Sequence, residues 1–147
     1  MFGRVGPDEE EAPRQIEVSA VLLKLDMASK VPIYMQIRNQ IVLGIASGEL
    51  APGEKLPTIR ALAEQSGVNM MTVNKAYGLL KQEGYITTDR RGGTVVSGSP
   101  GAGALSERYV AALRVIAAEA RLTGMDEDGF AALCRDIFRE GGGGSNA

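Results

Sequence analysis

A mainly α-helical fold carrying one small β-hairpin, followed by a separate two-helix module, is the class the sequence predicts, and three observations carry it. Isoleucines recur every fourth residue at Ile33, Ile37, Ile41 and Ile45, the spacing of one helical face. Thr58 to Leu80 reads as two amphipathic helices joined at the corner Gly67-Val68-Asn69, and a β-rich hairpin follows directly. Beyond the small-residue run Ser99 to Gly103, apolar side chains again fall at helical spacing.

Residues 1–17 hold Gly, Pro and the acidic run Asp8 to Glu11 with few apolar side chains. Such a segment buries too little to offset its ordering entropy and is expected as a disordered lead-in. Val18 to Asp26 is short and apolar, suited to an edge strand or to a segment lying over the core. The isoleucine helix, flanked by Tyr34 and Val42, takes Pro32 in its first turn and stops at Gly48. Ala51-Pro52-Gly53-Glu54 is a turn. Thr58 is placed to cap a short helix whose inward residues are Ile59, Leu62 and Ala63, with Gly67 closing it. Asn69 caps the next helix, where Val73, Ala76, Tyr77 and Leu80 share a face and Asn74, Lys75 and Lys81 point elsewhere. Gly84 stops that helix, and Tyr85–Thr88 and Thr94–Ser97 flank a basic tip, Asp89 to Gly93.

Residues 18–98 thus form one domain and 99–103 a linker. Residues 104–140 form the helical module: Tyr109, Leu113, Ile116 and Ala120 after a Ser106 cap, then Phe130, Leu133, Cys134, Ile137 and Phe138 after an Asp126 cap. The glycine-rich run 141–147 is expected as a flexible tail. Cys134 lies on the apolar stripe and is expected as a buried small hydrophobe, not a redox sensor.

The 147 residues contain no histidine and one cysteine. Imidazole acid–base chemistry and internal disulfides are therefore excluded, and no zinc site, metal or cofactor is expected. Asp126, Glu127 and Asp128 cluster at a helix start, where the macrodipole accounts for them without catalysis; no catalytic residue and no enzyme is expected. The run Val18–Leu25 is interrupted by Lys24 and preceded by acids, so no membrane segment is expected and the cytoplasm is the expected location.

Formal charge is −2, but Lys and Arg outnumber Asp and Glu seven to five within residues 31–98 and are outnumbered on either side. An excess of two is too small to establish nucleic-acid binding by itself. The order of elements does more. A helix, a turn, a short helix, a tight corner, a longer helix and a basic hairpin is the order of a winged helix-turn-helix, whose second paired helix offers its first turn to base edges in the major groove.

The residues carry the likeness further. Pro32-Ile33-Tyr34-x-Gln36-Ile37, Ile45-Ala46-Ser47-Gly48-Glu49-Leu50-x-Pro52-Gly53-x-x-Leu56-Pro57-Thr58-x-Arg60-x-Leu62-Ala63 and Gly67-Val68-Asn69-x-x-Thr72-Val73 closely resemble the GntR family of bacterial transcription regulators. The match continues through Ala76-Tyr77-x-x-Leu80, Glu83-Gly84-Tyr85-Ile86 and Gly93-Thr94. The short remainder, with Glu119-Ala120-Arg121-Leu122-x-Gly124-Met125-Asp126 before the Phe130 stripe, looks like the two-helix C-terminal module of the YtrA-like subfamily. That resemblance implies a homodimeric repressor of double-stranded operator DNA, often one controlling an ABC-transporter operon. Its dimer contacts would fall on Tyr109, Leu113, Ile116, Phe130, Leu133, Ile137 and Phe138.

The resemblance places DNA contacts at Thr58 and Arg60, at Asn69 and Thr72 opening the recognition helix, and in the wing. A guanidinium can bind guanine or phosphate in bidentate fashion; the bland reading of Arg60 is a solvated helix arginine. Asn74 and Lys75, one turn on, suit adenine or phosphate. Met70 and Met71 depart from the polar residues usual there, leaving two readings open: contact with thymine methyls, or plain tolerance of exposure. In the wing, Arg90, Arg91, Gly92 and Gly93 keep charge and flexibility, although Arg91 stands where the family usually has Gly and Gly92 where it has a basic residue. Two rival readings fit the same residues: a winged helix that docks on protein, and a regulator gated by an effector between dimer helices.

Overall fold

Residues 14–18, 21–99 and 105–142 are described by the computed structural model. They fall into two units, Met1–Gly101 and Ala102–Ala147.

The first unit opens with strand β1 (Arg14–Val18), which pairs antiparallel with β2 (Val21–Leu25), Ile16 opposite Leu23. Residues 14–17 therefore do not belong to a disordered lead-in. Main-chain pairing orders them, and that leaves no mark on composition; residues 1–13 lie outside the described residues. In β2, Leu23 and Leu25 are buried and Lys24 between them is exposed, the alternation of a half-buried strand.

Helix α1 (Ile33–Ser47) buries Ile37 and Ile41 completely, with Ile33, Tyr34, Val42 and Ile45 packed beside them. Pro32 stands at the cap, one residue ahead of the first turn, and its carbonyl accepts from the N–H groups of Met35 and Gln36. Two glutamines one turn apart on α1 close the free edge of β2. The N–H of Lys24 donates to Gln40 Oε1 at 2.6 Å, and Gln40 Nε2 donates back to the Lys24 carbonyl. The N–H of Asp26 donates to Gln36 Oε1 at 2.9 Å, while Gln36 Nε2 donates to the carbonyls of Asp26 and Val31. The amides thus supply what a third strand would supply. Gln36→Ala would strand these backbone groups, and a loss of roughly 1–3 kcal/mol in unfolding free energy is expected; an unchanged urea midpoint would show that the edge needs no such cover.

Helix α2 (Ile59–Ser66) and helix α3 (Met70–Gln82) meet at Gly67, whose φ of 68° lies in the left-handed region glycine tolerates. Leu62 and Ala63 face inward, and buried Ser66 ties the corner by donating to the Leu62 carbonyl and accepting from the Val68 N–H. The inward face of α3 is the expected one, Val73, Ala76, Tyr77 and Leu80. β3 (Ile86–Thr88) and β4 (Thr94–Val96) form the wing, and Lys55 bridges to Val95 on the far side of β4. Tyr77 ties α3 to the segment ahead of α2, its hydroxyl donating to the Pro57 carbonyl at 2.8 Å. Burial pushes that phenol well above its ordinary pKa, so it stays a neutral donor.

In the second unit, α4 (Glu107–Leu122) and α5 (Glu127–Gly141) flank a turn at Gly124. The Asp126 side chain caps α5 by accepting from the Gly129 N–H at 2.8 Å, whereas Ser106 precedes α4 without a side-chain cap bond. Gly141, expected in the tail, ends α5; residues 100–104 and 143–147, with most of the expected linker and tail, lie outside the described residues. Neither helix has a buried residue. Cys134 is accordingly exposed and not buried, since none of the described residues of its unit covers the stripe it sits on.

Candidate nucleic-acid interface

Two helix starts and one hairpin tip carry the side chains expected to meet DNA. At the start of α2, Thr58 Oγ1 accepts from the Ala61 N–H at 3.0 Å, the bond of an N-cap. Two residues on, Arg60 projects with its side chain 78% exposed. Glu64 approaches it at 3.8 Å, but a pair this solvated contributes little and releases the guanidinium readily.

At the start of α3, Asn69 Oδ1 accepts from the Met71 N–H at 2.7 Å. The next two side chains point outward, Met70 at 51% and Met71 at 79% exposure, and the buried face of the helix is complete without them. Thr72 is half-buried; Asn74 and Lys75 are exposed. The Lys75 ammonium lies 4.0 Å from the centroid of the Tyr34 ring, a cation–π contact that steers it toward the start of α1. Tyr34 is legible from sequence only as a flank of the isoleucine stripe, so this role escapes a reading by periodicity.

The wing tip is a built turn. Asp89 Oδ1 accepts from the N–H groups of Arg91 and Gly93, and the Asp89 N–H donates to the Gly93 carbonyl at 2.7 Å. Gly92 has φ 80°, and a Cβ on Gly93 would lie 3.2 Å from Asp89 Oδ2. Positive φ calls for glycine at Gly92, and the close approach of Asp89 favours it at Gly93, which leaves Arg90 and Arg91 as the exposed cations of the tip. The hairpin is anchored at the far end of α3, where the Tyr85 N–H donates to the Leu80 carbonyl.

That far end is held by a contact no sequence pattern signals. Arg38 of α1, largely buried, makes a two-pronged ion pair with Glu83, one prong from Nε to Oε1 at 3.2 Å. Its guanidinium also lies 5.7 Å from the Tyr85 ring centroid. The helix whose first turn is exposed is thus fixed to α1 at its last. Among the described residues no group of three or more His, Cys, Asp or Glu could hold a metal ion, and no helix is long and apolar enough to cross a membrane.

Helix pair, corner and basic wing define a winged helix-turn-helix, and the family profile described as "Bacterial regulatory proteins, gntR family" matches residues 33–96. The chain belongs to the GntR family of transcriptional regulators. Within the family it is YtrA-like. It is 44% identical to YtrA from Sulfolobus acidocaldarius, a GntR-family transcription factor, over 80% of this chain and 97% of that one, with a TM-score of 0.49. It is 42% identical to the transcriptional repressor YtrA of Bacillus subtilis over 52% of this chain and 58% of that protein. The crystal structure of a transcriptional antiterminator from Listeria monocytogenes is 28% identical, with a TM-score of 0.72 over 88% of this chain and 98% of that one. Curated relatives including YtrA of B. subtilis are matched over 57–62% of their own length.

Proposed function

We propose that this protein is a cytoplasmic homodimeric repressor, not an enzyme, that binds an inverted-repeat operator in double-stranded DNA. The observation that carries the DNA reading is the division of α3: one face supplies the core, and the other stands clear with Met70 and Met71 exposed in its first turn and Asn74 in the next. Arg60 and the Arg90–Arg91 wing tip add cations for guanine or phosphate. Repression and control of an ABC-transporter operon follow from the YtrA-like likeness, and neighbouring genes together with an inverted repeat upstream would test them.

Dimerisation is supported by α4 and α5, which leave Leu113, Ile116, Leu133, Ile137 and Phe138 between 44% and 84% exposed, with Tyr109 and Phe130 half-covered. A second reading, regulation by a small effector, is favoured by an open cavity of ≈ 460 Å³ at the α4–α5 corner, lined in part by Arg121, Met125 and Phe130.

The test is selection of duplexes from a random-sequence pool, followed by binding measured against salt. Arg60→Ala is expected to weaken binding to the selected duplex by about 1–3 kcal/mol if the guanidinium reads a base, with a smaller and equal loss on selected and random DNA if it meets only phosphate. No loss on either duplex would place Arg60 outside the interface.

A further inference from the structure

The first turn of α3 offers an unusual surface for reading DNA. Asn69, the polar side chain that opens the turn, has its oxygen committed to the cap, accepting from the Met71 N–H at 2.7 Å. Adenine is read when an amide donates to N7 and accepts from N6–H together, and this oxygen faces the helix instead. The next two positions carry thioethers. Met71, 79% exposed, is the most exposed large hydrophobic side chain among the described residues of its unit, and Met70 follows among the residues of α3 at 51%. Neither supports the fold, since Val73, Ala76, Tyr77 and Leu80 close the core behind them.

An apolar side chain entering the major groove finds one apolar group on the base edges, the thymine C5-methyl. Polarizable, unbranched methionine adapts to such a contact at little geometric cost. We infer that Met70 and Met71 are specificity-determining residues that read thymine methyls in each half-site. The inference rests on the DNA-binding reading above and names what the first turn selects.

The full-length protein would be used to select duplexes from a random pool, and each thymine of the selected consensus would then be replaced by uracil. This removes the methyl and leaves every hydrogen-bonding group in place. One or two thymines per half-site are expected to respond, each weakening binding about fourfold, the worth of one buried carbon. In a Met70→Ala, Met71→Ala double variant the uracil effect should vanish, while the melting temperature stays as in the wild type. The single variant Met71→Ala, altered at the more exposed position, should retain part of the uracil effect.

If the wild type prefers its consensus to random DNA and yet no uracil substitution matters, the methyl reading is overturned while the DNA-binding reading stands. An equal uracil effect in wild type and double variant overturns it as well, since another group would then contact the methyls. Failure to select any sequence above random at physiological salt removes both readings and leaves the exposed methionines as a contact for protein.

Discussion

Aspartate at both Phe130 and Phe138 is expected to turn a dimer into monomers and to lower affinity for a two-half-site duplex by about 10²–10⁴, while affinity for an isolated half-site changes little. Among the described residues the second unit consists of α4 and α5, and two helices alone enclose no core. None of the residues of α4 or α5 is buried, and Phe138 stands 84% exposed, with Ile137 at 56% and Ile116 at 51%. Each such side chain left in water forgoes about 1.5–3 kcal/mol of burial. A second copy presenting the same stripes would cover them, in the isologous manner of two-fold dimers. Charge in that contact would be desolvated without a partner, which opposes association. The loss on DNA follows from linkage: once one half-site is bound, the tethered second domain meets its own half-site at millimolar effective concentration, and monomers lose that gain. Light scattering reports the mass, and fluorescence anisotropy on duplexes with one or two half-sites reports the coupling. A variant that still scatters as a dimer would remove the phenylalanines from the interface. Monomers that bind both duplexes as the wild type does would mean that pairing of the chains plays no part in recognition.

Much of the winged domain was legible because a helix buries one face and periodicity records that face. Val73, Ala76, Tyr77 and Leu80 are the buried face of α3 that their spacing predicts, and the caps Thr58 and Asn69 form the bonds their residue types suit. The C-terminal stripes were equally legible as helices, but Cys134 was misread: periodicity shows that residues share a face, and says nothing of whether the same chain covers it. β1 escaped because backbone pairing, not apolar content, orders it. The Gln36 and Gln40 clasp on β2 and the Lys75–Tyr34 contact escaped for another reason. Each depends on which elements become neighbours in three dimensions, information that local spacing does not hold. The residues proposed to face DNA rest on family likeness, because local spacing records which side chains are buried and not what an exposed one meets.

The Arg38–Glu83 pair spans the longest such gap, and its removal is expected to have the largest effect on stability. The side chain of Arg38 is 9% exposed and that of Glu83 21%. Breaking a buried pair from one side leaves a charge desolvated without its counter-ion, at roughly 3–5 kcal/mol. Glu83→Ala is expected near the lower end of that range, because its carboxylate retains some water. Asn39 Oδ1 and the Tyr85 ring, both uncharged, also lie beside the guanidinium. Urea unfolding of the variant would measure the loss, and since small domains hold only about 5–15 kcal/mol in all, a large part of the native stability is at stake. Replacing both partners with apolar residues, Arg38→Met with Glu83→Leu, should recover most of it, because both charges then leave the buried site together. The difference between single and double variants isolates the coupling. A functional consequence follows from position. Glu83 caps α3 and precedes Tyr85, whose N–H ties the wing to the Leu80 carbonyl. Loosening this end should therefore weaken specific DNA binding even well below the melting temperature, and the apolar double variant should restore it with the fold. Glu83→Ala unfolding at the wild-type urea concentration and binding its duplex as the wild type does would show that the pair is held for neither purpose.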